Sequence, residues 1–171
     1  MAAATVFVPV EEYLRSSYSP DAEYVDGQIE ERIVGENDHS AWQDAICAWF
    51  RPQAKNTRIR VRPELRVQVE SRCFLVPDVA ILDRNLEIEP IATHPPVAVF
   101  EILSPGDSLQ RVMKKCARYE KMGIRTILVL DPDGPAYRFL EGRLEPLEAR
   151  AFDLDGSSAR FDLDEIEKLV D

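Results

Sequence analysis

The chain predicts an α/β or α+β fold with a mixed β-sheet, on three observations. Strand-length apolar runs alternate with two longer segments of helical periodicity, at residues 39–50 and in the stretch before Gly123. The runs 97–103 and 126–130 are almost continuously apolar, as strands buried on both faces are. Asp26-Gly27 and Glu141-Gly142 are tight-turn signals and predict added hairpins near the two ends of the chain.

In order, residues 10–17 (VEEYLRSS) read as a short helix, broken at Ser19-Pro20-Asp21. Residues 22–34 (AEYVDGQIEERIV) read as a β-hairpin about Asp26-Gly27. Asn37 or Asp38 caps a helix over residues 39–50, in which Trp42, Ala45, Ile46, Trp49 and Phe50 recur at spacings of three and four. Pro52 ends it. Residues 57–69 read as one long strand with Ile59, Val61, Leu65, Val67 and Val69 on one parity, and Pro63 inside it points to an edge or a bulge. After a turn at residues 70–72, a second strand spans 73–82 and carries Pro77-Asp78. A proline-rich loop leads to the third strand, 97–103, which is apolar apart from Glu101. Residues 104–107 form a turn into a helix capped by Asp107 or Ser108, with Leu109, Val112, Met113 and Cys116 as its buried stripe. Ser108, Arg111, Lys115 and either Arg118 or Tyr119 lie on another face. Gly123 suits the C-terminal cap, and residues 126–130 form the fourth strand. A hairpin over 135–147 and a short strand with a last helix over 161–171 complete the chain.

Composition narrows the classes. One domain, 1–171, is expected from the 171-residue length. No apolar run approaches the roughly 20 residues that span a bilayer, and the first ten residues lack a basic start and a full apolar core, so neither membrane insertion nor a signal peptide is expected. The 3 cysteines are far apart and contain no C-x-x-C, which points away from disulfides and thiolate zinc and toward a reducing cytoplasm. The net charge of −10 argues against broad nonspecific nucleic-acid binding. The one basic stripe, Arg58, Arg60, Arg62 and Arg66 with Arg72 beyond it, reads as a solvated face paired with acids or as a track for a phosphate backbone. No P-loop, G-x-S-x-G, H-E-x-x-H or G-x-G-x-x-G occurs.

Chemistry concentrates between residues 76 and 132. A lone carboxylate inside VAVFEIL is costly to bury, so Glu101 requires a cation, a metal or hydrogen bonds; a structural ion pair would serve equally. Asp78 lies in a neighbouring apolar strand, where it is otherwise a turn or capping residue after Pro77. Two acids on adjacent strands repel unless something positive lies between them, and a hard cation, Mg²⁺ or Mn²⁺, satisfies both. The backbone carbonyl of Ile102 would complete the protein ligands. Lys115, on the helix that follows Glu101, stands beside the apolar stripe and reaches back toward the strand end, whereas Lys114 reads as a surface charge. Glu23 is a weaker third acid with a surface strand residue as its alternative; His39 reads as a cap-region group and Tyr119 as packing.

At Pro77-Asp78, Glu101-Ile102-Leu103-Ser104-Pro105, residues 115–123 (KCARYEKMG) and Leu130-Asp131-Pro132, the chain resembles a bacterial family described as "putative restriction endonuclease", of the PD-(D/E)XK nuclease-like superfamily. The Glu23–Gly27 hairpin and His39 also match, and the resemblance covers residues 10–150. It implies a restriction-endonuclease-like core, a central mixed β-sheet flanked by helices, with Asp78 and Glu101 as metal ligands and a nuclease lysine on the following helix, at Lys115, rather than two residues after the glutamate, where this chain has Leu103. Family members often carry an acid one helical turn before that lysine; here the position is Arg111, which removes a carboxylate and offers a phosphate contact.

The expected function is therefore a Mg²⁺- or Mn²⁺-dependent DNA endonuclease, with Asp78, Glu101, Lys115 and Glu23 in its site. The alternative is a catalytically inactive nuclease fold kept as a binding or regulatory module, with a small-molecule hydrolase as a weaker rival. Homodimerisation is expected only on the strength of exposed edge strands and a hairpin.

Overall fold

The computed structural model describes residues 7–19, 21–33 and 35–171. Pro20 and Val34, each at the margin of a predicted element, lie outside the described residues, as do residues 1–6. A short helix α1 (Val10–Arg15) precedes the hairpin β1 (Ala22–Val25) and β2 (Gln28–Glu31). Helix α2 (Asn37–Phe50) follows, then β3 (Ile59–Pro63), β4 (Val67–Glu70), β5 (Cys73–Leu75), β6 (Val79–Asp83) and β7 (Ala98–Ile102). Helix α3 (Leu109–Met122) leads to β8 (Thr126–Leu130), the hairpin β9 (Ala136–Leu140) and β10 (Arg143–Pro146), β11 (Ala151–Asp153), β12 (Arg160–Asp162) and α4 (Leu163–Glu167).

Among the described residues the strands form a six-stranded sheet, β10-β9-β8-β7-β6-β3, a four-stranded sheet, β2-β1-β5-β4, and the pair β11-β12. The larger sheet is mixed: β7 and β8 run parallel and the other pairings are antiparallel. This is the predicted sheet flanked by helices. Alternation along β7 assigns the faces. Ala98, Phe100 and Ile102 pack on one side with Ala45, Ile46 and Phe50 of α2 and Phe161, Leu163 and Ile166 near the C-terminus. Val99 packs on the other with Val112, Cys116 and Tyr119 of α3 and with Val67, Cys73 and Leu75 of the smaller sheet.

The two long strands expected over 57–69 and 73–82 are each divided. Together they form one bent antiparallel hairpin whose base, β3 and β6, belongs to the large sheet and whose tip, β4 and β5, belongs to the small one. The bend falls at Pro63-Glu64 on one arm and at Val76-Pro77-Asp78 on the other. Proline cannot donate to a ladder, and Glu64 takes a left-handed φ of 50°, so the pairing of β3 cannot run on unbroken. The Glu64 N–H donates to the Asp78 carbonyl at 3.1 Å, and Gln43 Nε2 donates to the same oxygen at 2.9 Å. Pro63 thus ends an edge strand of the large sheet, as predicted. The bend also breaks up the basic stripe. Arg60 donates to the Asp83 and Leu86 carbonyls, while Arg66 lies over the Tyr13 ring beside Asp21.

At the helix ends and on α3, two local expectations need correction and one holds. Glu36, not Asn37 or Asp38, occupies the N-cap of α2, and no side chain caps it. Ser108 occupies the N-cap of α3, one of the two expected positions, without a side-chain bond, while Asp107 accepts from the Ser104 N–H. Leu109 is 53% exposed and lies outside the buried stripe, which consists of Val112, Cys116 and Tyr119 with Met113 partly buried against it. The turns at Asp26-Gly27 and Glu141-Gly142 have positive φ at both residues, the type I′ geometry that matches strand twist. Gly123 adopts φ 106° and closes α3.

Phe100 is fully buried between Phe50 and Phe161, with ring centroids 5.6 and 6.0 Å away. Phe100→Ala is expected to destabilise the fold by about 3–5 kcal/mol in urea denaturation, whereas Leu109→Ala should stay within about 0.5 kcal/mol of the wild type.

Candidate metal and phosphodiester site

The site arises where strand register and the hairpin bend meet. Strands β6 and β7 pair antiparallel with Val79 opposite Phe100, so the register carried one residue further sets Asp78 opposite Glu101. Both have the parity of Ala80 and Val99 and so face α3. Glu23 reaches the same space from the small sheet: it shares the parity of Val25, which packs in the α3 core, and its Oε1 accepts from the Val76 N–H at 2.9 Å. Glu23, Asp78 and Glu101 are all buried, with exposures of 3, 4 and 6%. The predicted residues Glu23, Asp78, Glu101 and Lys115 line one polar cleft, together with Ile102, Arg32, His39 and Arg111.

Lys115 lies on the face of α3 that turns toward the two sheets. Its Nζ is 2.7 Å from Glu23 Oε1 and 2.8 Å from Glu101 Oε2, and it donates to the Val76 carbonyl at 3.0 Å. The other Glu101 oxygen accepts from the Tyr119 hydroxyl, one turn along, at 2.8 Å. Tyr119 does pack, as expected, but it also holds the glutamate. Arg118, the alternative for that face, turns away toward Glu70 and Asp26. Asp78 is held differently. Its Oδ2 accepts from the Ile102 N–H at 2.7 Å, and its Oδ1 lies 2.6 Å from Arg32 Nη2 and 3.3 Å from His39 Nε2.

Charge follows from this wiring. Burial pushes the Glu101 carboxyl up to about 7, against the pull of Lys115. Burial acts the same way on Asp78, but the His39 hydrogen bond and the positive charges of Lys115, His39 and Arg32 outweigh it and hold the acid below its usual range. Burial works to discharge Lys115, yet Glu101, Glu23 and Asp78 raise its pKa, so it stays an ammonium. Burial also opposes the His39 cation, which the Asp78 hydrogen bond and charge raise above the usual imidazole value.

The donors available to a metal are hard oxygens. Among the described residues no three His, Cys, Asp or Glu side chains are grouped as a cation cage. Two opposed carboxylates remain, with backbone oxygen and water to fill other positions; this suits Mg²⁺ or Mn²⁺, which commonly take one or two protein carboxylates and keep waters. Ile102 follows Glu101 on β7, and its N–H already serves Asp78.

Arg32 was missed from sequence. In QIEERIV it reads as one more charge on a hairpin arm, and nothing local reveals that the arm ends over Asp78. Gln43 was missed for the same reason, as a polar residue in the first half of an amphipathic helix.

A mixed central sheet flanked by helices, with two acids on neighbouring strands and a lysine on the next helix, places the molecule among nuclease-like α+β folds. The chain belongs to the Uma2 family, described as "Putative restriction endonuclease", whose family model matches residues 10–152. A crystal structure described as a putative nuclease belonging to DUF820 from Anabaena variabilis superposes with a TM-score of 0.79 over 95% of this chain and 99% of that one, at 22% identity, a likeness of fold. A cryo-EM structure of a DrdV–DNA complex gives a TM-score of 0.45 at 16% identity, covering 80% of this chain and 12% of that one, too distant to carry any inference. No curated protein matches the chain. No helix among the described residues is long and apolar enough to cross a membrane.

The Glu101 shift has a stability consequence. Its folded pKa of about 7 lies above the ordinary 4.5, so the ionised form is disfavoured in the fold, and stability is lost as pH rises from about 4.5 to about 7. Glu101→Gln cannot ionise. Denaturation at pH 5 and pH 8 should therefore show the wild type losing on the order of 2–3 kcal/mol relative to Glu101→Gln across that interval.

Proposed function

We propose that the protein is a Mg²⁺- or Mn²⁺-dependent endonuclease that hydrolyses phosphodiester bonds in DNA. The observation that carries this reading is the convergence on one cleft of Asp78, just before β6, Glu101 of β7 and the Lys115 ammonium, in a chain of this family. Asp78, Glu101 and the Ile102 carbonyl would hold the cation. A bound divalent ion supplies water activation and stabilises charge that develops at the phosphoryl group. Lys115 is the residue that orients the attacking water or balances the phosphoryl charge; its protonated state is secured by two carboxylates. Glu23 acts one step back, by fixing Lys115. Arg111, whose Nη2 donates to the Glu31 carbonyl at the cleft rim, is available for a flanking phosphate.

A second reading has its own support. Each oxygen of Asp78 and Glu101 already lies within hydrogen-bond reach of a protein donor. A closed network of that kind suits a nuclease fold retained as a binding or regulatory module, as does the net charge of −10.

Supercoiled plasmid separates the two. With Mn²⁺ the wild type should nick it, and chelation should abolish nicking. Asp78→Asn, Glu101→Gln and Lys115→Met should each lose on the order of 10²-fold or more in rate. Intact plasmid with every divalent metal tried would select the binding module.

A further inference from the structure

Arg32 lies between two clefts. One holds Asp78, Glu101 and Lys115; the other, behind it, is lined by Asp21, Glu64, Gln43 and Ser40. Its Nη2 is 2.6 Å from Asp78 Oδ1, while its Nη1 is 3.3 Å from Glu64 Oε1. Asp78 is nearly fully buried, whereas the Glu64 side chain is 54% exposed. The guanidinium therefore bridges an inner and an outer carboxylate.

We propose that Arg32 competes with the divalent cation for Asp78 and sets the metal affinity of the site, loading being coupled to transfer of its guanidinium outward to Glu64. This rests on the metal-site reading above. Three observations carry it. The inner acids Glu23, Asp78 and Glu101 already face Lys115 and Arg32, with His39 beside Asp78, so a further double positive charge is better accommodated when one of these cations withdraws. Lys115 is held by Glu23, Glu101 and the Val76 carbonyl, all buried, and has nowhere to go. Arg32 has an acceptor outside the site, the exposed Glu64, which lines a second cleft. A guanidinium also suits this exchange because it stays charged at any working pH and forks between two carboxylates.

The test is Mn²⁺ titration by calorimetry on the full chain, comparing wild type, Arg32→Met and Arg32→Lys. Arg32→Met keeps the stem and removes the charge, and should bind Mn²⁺ at least tenfold more tightly than the wild type. Arg32→Lys keeps a cation and should stay near the wild type. Binding by the wild type with no tightening in Arg32→Met overturns the competition but leaves the metal site standing. Absence of Mn²⁺ binding in all three proteins overturns the metal site itself, and this inference with it. If Arg32→Met does not fold, the wild type decides. Saturating Mn²⁺ should speed phenylglyoxal modification of Arg32, read by peptide mapping against Arg60 as internal reference; unchanged or slower labelling overturns the proposal.

Discussion

A single buried ammonium ties the molecule together. Lys115 Nζ, on α3, contacts Glu23 of the small sheet, Glu101 of the large sheet and the Val76 carbonyl in the link between them. A buried charge without partners is among the most destabilising features a fold can carry, and losing one member of a buried pair exposes the whole desolvation penalty of the other. The three contacts come from segments far apart in sequence. The angle at which the two sheets meet is thus linked to the placement of one side chain. The apolar residues of the same helix, Val112 and Cys116, provide the packing that keeps that side chain in place.

The bend in the hairpin explains why acids occur at this point. A continuous pair of strands would have to place Asp78 within one sheet, with both faces covered. Because the chain changes sheets at Pro63 and Pro77, the carbonyl and carboxylate of Asp78 emerge at a seam. There Gln43, Glu64, Ile102, Arg32 and His39 can all reach them. Proline at both breaks removes donors that would otherwise need ladder partners. The strained φ of Glu64 is compensated by its N–H bond to Asp78.

Much of this is legible in the sequence alone. Period-three and period-four spacing located α2 and α3, the two D/E-Gly turns located both hairpins, and unbroken apolar runs located β7 and β8. Glu101 and Asp78 stood out because charge inside apolar runs requires an explanation. The division of the long strands was not legible, since Ile59 and Val69 keep the same parity through a bend that changes sheets. The exposure of Leu109 was also hidden, because helical periodicity defines a face but not how far the neighbouring sheet extends along it. The role of Arg32 depended on tertiary placement alone: a charged residue on a hairpin arm has the same local signature whether it ends in water or over an aspartate.

The same wiring limits how a polyanion could approach. The cleft adjoining the site is lined by Glu36, Asp38, Asp107, Asp131 and Asp133, which makes that side hostile to phosphate. On the side of the β2 arm stand Arg32 and, from α3, Arg111 and Lys115. A phosphodiester reaching Glu101 would therefore be favoured along the seam between the hairpin arm and α3, with its flanking phosphates kept off the acidic wall. In a chain of net charge −10 the long-range field repels nucleic acid, so any attraction must come from these few cations at short range and from whatever positive charge the acids themselves recruit. On the proposed reading, such a protein would need its cation for binding a polyanion as well as for chemistry: neutralising Asp78 and Glu101 would remove repulsion where the phosphodiester comes closest.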